Sequence, residues 1–137
     1  MEIRINTLTP NLFIDIYKSV GWAPPCIEQV KTALENTAAT FTCYDGDCPV
    51  WMVRVIGDGG MSFYIKDFAV IPSHQGKGAG KYLMTALEHY VKECKSPNWA
   101  VSLELISSKE AVCFYKKYGF EERPCNSDGP GMFKMIR

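Results

Sequence analysis

The sequence predicts an α/β (α+β) fold built on one mixed sheet, and three observations carry that expectation. The first half holds a β-hairpin pattern, with β-branched and aromatic runs on both sides of Asp45-Gly46-Asp47, and hairpin arms pair antiparallel. The second half alternates strand and helix patterns, which need crossover connections and therefore at least one parallel pair. The length, 137 residues, fits a single domain over residues 1–137, since one domain usually takes about 100 to 200 residues.

Taken in order, Thr9-Pro10 reads as an N-cap followed by a proline at the first helical position. Leu12, Phe13, Ile16, Tyr17 and Val20 then recur at helical spacing until Gly21. A second, weaker amphipathic helix is expected from about Pro25 through Ile27, Val30, Ala33 and Leu34 to Asn36. The period then changes: Thr40 to Tyr44 and Val50 to Ile56 are the hairpin arms. Gly57-Asp58-Gly59-Gly60 marks the next turn, and the largely apolar run Met61 to Ile71 is expected as a long central strand ended by Pro72. A helix should follow from about Gly78 to Glu93, with Leu83, Met84, Leu87, Tyr90 and Val91 on one stripe. Trp99 to Ile106 reads as a strand, Lys109 to Tyr118 as a short helix closed by Gly119, and Met132 to Ile136 as a last strand.

Composition narrows the functional classes. Hydrophobic and charged fractions of 47% and 22% are ordinary for a globular protein and argue against disorder. The 15 Lys and Arg balance the 15 Asp and Glu, so no overall charge draws a duplex nucleic acid or an anionic membrane. No apolar run approaches the roughly 18 residues of a spanning helix. Met1 to Asn6 carries Glu2 and Arg4 in place of an apolar leader, so a cytoplasmic location is expected. In that reducing compartment Cys26, Cys43, Cys48, Cys94, Cys113 and Cys125 should be free thiols. Their spacings contain no C-x-x-C, and His74 and His89 are far apart, so no metal is expected. A homodimer stays open.

The most informative stretch runs from Asp67 to Leu83. It reads as a buried strand, a short loop with Gly76, Gly78 and Gly80 at alternate positions, and a helix. Glycines let a backbone approach a ligand closely, and the N–H groups of a helix's first turn point at an anion with the positive end of the dipole. A Walker A loop would need glycine at 75 and Ser or Thr at 82, where Gln75 and Tyr82 stand. A dinucleotide-binding G-x-G-x-x-G starting at Gly76 would need glycine at 81, where Lys81 stands. The remaining pattern, Q/R-x-x-G-x-G/A, is filled by Gln75, Gly78 and Gly80.

With that loop the chain resembles the GCN5-related N-acetyltransferase (GNAT) family. A second motif downstream, Ala111-Val-Cys-Phe114-Tyr115-Lys-Lys-Tyr118-Gly119-Phe120, is similar to the family's A-x-x-F-Y-x-x-x-G-F signature. The resemblance implies a mixed, twisted sheet of about six or seven strands flanked by about four helices, with the fourth and fifth strands splayed to admit acetyl-CoA. A bulge in the fourth strand commonly starts the splay, and the pantetheine arm then adds to the exposed strand edge. On this chain the arm would meet Phe68, Ala69 and Val70. The pyrophosphate would sit on the amides of Gln75, Gly76, Lys77, Gly78, Ala79 and Gly80, with Lys77 and Lys81 adding screened attraction. Ser108 stands where many relatives carry an asparagine that contacts the coenzyme arm, and it could instead cap the helix from Lys109.

The implied partners are acetyl-CoA and a primary amine acceptor, with transfer by direct attack and no metal. Tyr115 matches the family's tyrosine on the thiolate side, also beside the coenzyme, whereas Tyr118 reads as packing. The base is less defined. Relatives often place Glu or His where this chain has Tyr64 and Lys66, which leaves Glu104 and Asp67 as carboxylates able to act through water. Strand alternation sets Asp67 on the face opposite Lys66. The same departure motivates an alternative, an acyl-CoA binding or sensing module without turnover. Trp51 reads as core or as a wall of the acceptor pocket, and His74 as an exposed loop residue.

Overall fold

In the computed structural model, which describes residues 1–137, the strands hydrogen-bond in their order along the chain. They are β1 (Glu2–Ile5), β2 (Ala39–Asp45), β3 (Cys48–Gly57), β4 (Ser62–Val70) and β5 (Ser102–Glu104). The first three junctions are antiparallel and β4–β5 is parallel, so the sheet is mixed as the sequence predicts. The strand count is corrected from six or seven to the five of this 5-stranded sheet. Met132 to Ile136 forms no strand, and its apolar side chains are exposed. A strand exists only where a neighbour takes its hydrogen bonds, and apolar content alone does not supply one. β1 went unpredicted because Glu2 and Arg4 mask its pattern. It is recruited by pairing with β2, and the Arg4 guanidinium lies 4.1 Å from the centre of the Tyr44 ring.

The chain divides into two compact units, Met1–Leu105 and Ile106–Arg137. In the first, helices α1 (Pro10–Ser19) and α2 (Ile27–Glu35) set Phe13, Ile16 and Val30, with Leu8 just before α1, in one core cluster with Met52 of β3 and Ala69 of β4. Thr9 caps α1, its hydroxyl accepting the Leu12 N–H at 3.2 Å, with Pro10 first in the helix. Helix α3 (Ala79–Cys94) covers the other face through fully buried Leu83, Met84 and Leu87. Its Tyr90 meets Phe41 and Phe63 edge-on at 5.6 and 6.2 Å and donates to the Ala38 carbonyl at 3.1 Å. Burial, then the neighbouring Cys94, pushes its hydroxyl pKa up to about 12. No helix is long and apolar enough to cross a membrane.

In the second unit, a 3-10 turn (Lys109–Ala111) leads into α4 (Val112–Lys116), and Gly119 closes the segment at φ +82°. Phe114 packs on Tyr115 and Tyr118 at 5.1 and 5.0 Å, and Tyr115 on Phe120 at 5.6 Å. Lys116 pairs with Glu122, and Arg123 with Asp128 at 2.9 Å.

The β3–β4 turn is tied by one carboxylate. Asp58 accepts the N–H groups of Gly60, Met61 and Ser62 at 2.9, 2.8 and 3.1 Å. Those bonds favour the charged form and lower its pKa from 3.8 to about 2. A depressed carboxylate pKa stabilises the fold above the unfolded value, and that stability is lost as pH falls through the folded one. Wild type should therefore lose stability relative to Asp58→Asn between about pH 4 and pH 2. Denaturant melts at stepped pH measure this, and parallel curves for the two proteins would remove Asp58 from the turn's energetics.

Candidate active site

The site is organised by the two edges of β4. Its pairing with β5 is confined to Ser62↔Ser102, Phe63↔Leu103 and Tyr64↔Glu104, so residues beyond Tyr64 have no strand on that side. On the other edge the Ile71 N–H donates to the Val50 carbonyl at 3.0 Å. Peptide groups alternate along a strand, so Ala69, opposite Met52, also turns to β3, while Phe68 and Val70 turn toward the open edge. Ala69 is thereby corrected from the expected arm-binding set. It is buried, its side chain sits in the α1/α2 core, and its backbone belongs to β3.

A bulge sets that alternation. The register passes from Arg54↔Lys66 to Met52↔Ala69, so Val53 faces both Asp67 and Phe68. Asp67 takes φ +54°, a left-handed conformation that disfavours most L residues by roughly 1–2 kcal/mol and that Asp tolerates better than most. Its carboxylate accepts the Arg54 Nε–H at 2.6 Å, and both side chains are largely buried, at 10% and 13% exposure. Arg54 also donates to the Thr37 hydroxyl at 3.1 Å. The expected opposition of Asp67 and Lys66 is therefore corrected: Arg54 lies directly across from Lys66, and the bulge swings Asp67 to that same side. Tyr17 lies nearby, and its pKa is raised first by burial and then by the Asp67 charge, with Arg54 opposing. Sequence reasoning missed Arg54, because its partner is fixed by a bulge that no local pattern marks.

After β4, Pro72–His74 makes a 3-10 turn, and the Gln75 side-chain amide folds back to donate to the Val70 carbonyl at 2.9 Å. The Gln75 N–H is spent on the Pro72 carbonyl at 3.4 Å, which corrects the start of the expected amide run. From residue 76 to residue 80 the backbone N–H groups find no acceptor in the protein. Gly76 and Gly78 stand at φ +73° and +81°, and an added Cβ would meet nothing within 4 Å at either. Their conformation, not crowding, calls for glycine. Gly78 is the N-cap of α3 and makes no side-chain cap, so Ala79 and Gly80 present free first-turn amides. Lys77 and Lys81 are exposed beside them. Such a row of unpaired N–H groups at a helix start suits an anion such as a pyrophosphate.

The remaining candidates are placed as follows. Glu104 is exposed and accepts from the Ser102 hydroxyl at 2.7 Å; its register partner is Tyr64. Trp51 is fully buried and edge-on to Phe68 at 6.0 Å, and its indole N–H has no partner. His74 is corrected from an exposed residue to a half-buried one, bonded to Ser73 at 2.9 Å and to Asp45 in the hairpin turn at 3.3 Å. In the second unit Tyr115 is buried, and burial raises its hydroxyl pKa. Ser108 holds the N-cap position of the 3-10 turn, yet its hydroxyl makes no cap bond. The turn is closed instead by the Ala111 N–H on the Ser108 carbonyl at 3.1 Å.

Residues 16–136 match the family model described as an acetyltransferase (GNAT) domain. The chain belongs to the GNAT acetyltransferase family. It is 30% identical over 144 residues to the uncharacterized N-acetyltransferase ycf52 of Pyropia yezoensis, covering 97% of this chain and 79% of that protein. Against the ycf52 protein of Gracilaria tenuistipitata var. liui it spans 62% of the relative's length. Among solved structures it is similar to a probable acetyltransferase from meticillin-resistant Staphylococcus aureus, with 31% identity, TM-score 0.82, and coverage of 98% and 100%. A GNAT-family acetyltransferase from Streptococcus pneumoniae TIGR4 gives 29% identity, TM-score 0.80, and 99% of both chains. A more distant fold neighbour from Clostridium acetobutylicum, 18% identical with TM-score 0.68 over 90% and 91%, was solved with acetyl-CoA. The enzyme class is thus acetyl transfer, and the open-edged β4 is the family's splay in this chain.

Gly78→Asp tests the loop. Aspartate tolerates the left-handed region and is a good N-cap, so the fold should persist while a carboxylate occupies the amides that an anion would use. CoA affinity by calorimetry should fall at least about 100-fold, the scale of losing one or two charge-assisted hydrogen bonds. Unchanged affinity in a folded variant would move the pyrophosphate site off residues 76 to 80.

Proposed function

We propose that this chain is an acetyl-CoA-dependent N-acetyltransferase that acts on a primary amine of a small molecule by direct nucleophilic attack. The observation that carries this reading is the run of unpaired N–H groups from 76 to 80, directly after a β4 whose outer edge is open at Phe68 and Val70. The loop amides bind the pyrophosphate, Lys77 and Lys81 add screened attraction, and the Phe68 and Val70 peptide groups pair with the arm as a short strand addition. The Val70 carbonyl already receives the Gln75 amide, which leaves its N–H and the Phe68 pair to do most of that work.

Acetyl-CoA supplies an activated acetyl group and a thiolate leaving group. An amine with a pKa near 10.4 is neutral in only about one molecule in a thousand at pH 7.4, which adds about 4 kcal/mol to its attack. Glu104, exposed and on the strand beside the splay, takes that proton through water. Asp67 is withdrawn from the base role, because its carboxylate is held by Arg54. On the leaving side a thiol of pKa about 8.5 is already a stronger acid than a tyrosine of about 10. Burial of Tyr115 widens that gap, so in the thiolate-side role that the family resemblance implies, this tyrosine would donate a hydrogen bond and keep its proton.

Tyr115→Phe should lower kcat about 10- to 1000-fold with little change in CoA binding, while Tyr118→Phe stays near wild type. Equal losses in both, or none in either, would take Tyr115 out of the mechanism.

Lys66, exposed where relatives often carry an acid, favours one second reading, an acyl-CoA sensing module. A broad amine panel incubated with acetyl-CoA separates the two. Release of free CoA above the hydrolysis rate is the expected result, and silence with CoA binding intact would favour the sensor.

A further inference from the structure

The Arg54–Asp67 pair takes no part in binding or transfer as described, yet it sits at the one point where β4 changes which residues face its open edge. Asp67 holds φ +54° without being glycine, and the hydrogen bond to its carboxylate comes from Arg54 at 2.6 Å. Arg54 is fixed in turn from the α2 side. It donates to the Thr37 hydroxyl at 3.1 Å, and that hydroxyl donates to the Ala33 carbonyl at 2.7 Å. The guanidinium is therefore anchored independently of β4 and can impose a conformation on it. A strand that loses its extra residue slips by one, and every peptide group beyond the slip exchanges edges. Without the bulge, Phe68 and Val70 would turn to β3, and Ala69 alone of the three would face outward.

We propose that Arg54 is a positioning residue: by holding the Asp67 carboxylate it fixes the left-handed bulge in β4, and so sets the Phe68 and Val70 peptide groups toward the coenzyme. The link to the coenzyme rests on the function proposed above, whereas the conformational part stands on the strand geometry.

Two double variants test it, R54M/D67G and R54M/D67A. Both remove both charges, and only glycine adopts a positive φ freely. The glycine variant should bind CoA within about 3-fold of wild type and the alanine variant at least about 10-fold more weakly, since the bulge is kept in one and lost in the other. Amide hydrogen exchange without coenzyme supplies a second readout. Wild type and the glycine variant should protect the Ala69 amide and leave Phe68 and Val70 fast, and the alanine variant should show the reverse. Identical exchange patterns in the two variants overturn the proposal whatever the affinities. Different patterns with equal affinities overturn its link to the coenzyme. A wild-type protein that binds no CoA sinks the proposed function instead, and the exchange pattern of R54M alone, which keeps Asp67 and should match the alanine variant if Arg54 holds the bulge and wild type if it does not, still decides the role of Arg54. R54M/D67N and R54M/D67T repeat the contrast if either first variant fails to fold, since asparagine tolerates the left-handed region and threonine does not.

Discussion

A strand in the middle of a sheet has two edges to satisfy, and β4 satisfies only one of them along its whole length. β3 takes the inner edge up to Ile71, whereas β5 follows the outer edge for Ser62, Phe63 and Tyr64 and then leaves it. Unpaired strand backbone is an invitation to any extended chain with matching donors and acceptors. The short β5 leaves that invitation open at Phe68 and Val70, while Phe63, Ile65 and Ala69 of the same strand stay in the core.

The turning points that deliver the chain from strand to helix share one conformational device. Asp67, Gly76 and Gly78 all have positive φ, and each reverses the direction in which the next peptide group points. At the two glycines nothing crowds the missing side chain, so residue choice there answers to backbone freedom alone. At Asp67 a charged side chain does the same task with a buried partner. Removing one member of such a pair leaves an uncompensated charge away from water. Glycine leaves the loop free to adapt to a ligand, and the ion pair keeps the strand from doing so.

Much of this could be read from residue order. The α1 cap at Thr9-Pro10, the hairpin about Gly46, the α3 stripe and the Gly119 stop are local signals, and each has a local physical cause that the structure bears out. The features that escaped are non-local. β1 exists because β2 accepts it, and Met132 to Ile136 has strand composition without a partner. The β4 bulge is an expectation of the family resemblance, but its position at Asp67 and its tie to Arg54 depend on a partner 13 residues away in the chain. The glycine loop was legible as a candidate anion site because its chemistry is carried by consecutive residues. The base was not, because neither the buried ion pair of Asp67 nor the exposure of Glu104 is marked in the local sequence.

The contact between His74 and Asp45 joins the start of the glycine loop to the tip of the β2–β3 hairpin across a single 3.3 Å hydrogen bond. Coupling between two sites is reciprocal as a matter of thermodynamics. Whatever free energy an anion ordering the loop contributes to that contact, ordering of the hairpin tip returns to the loop's hold on the anion. The hairpin is thereby tied to the glycine loop by a side-chain contact that lies outside the row of loop amides.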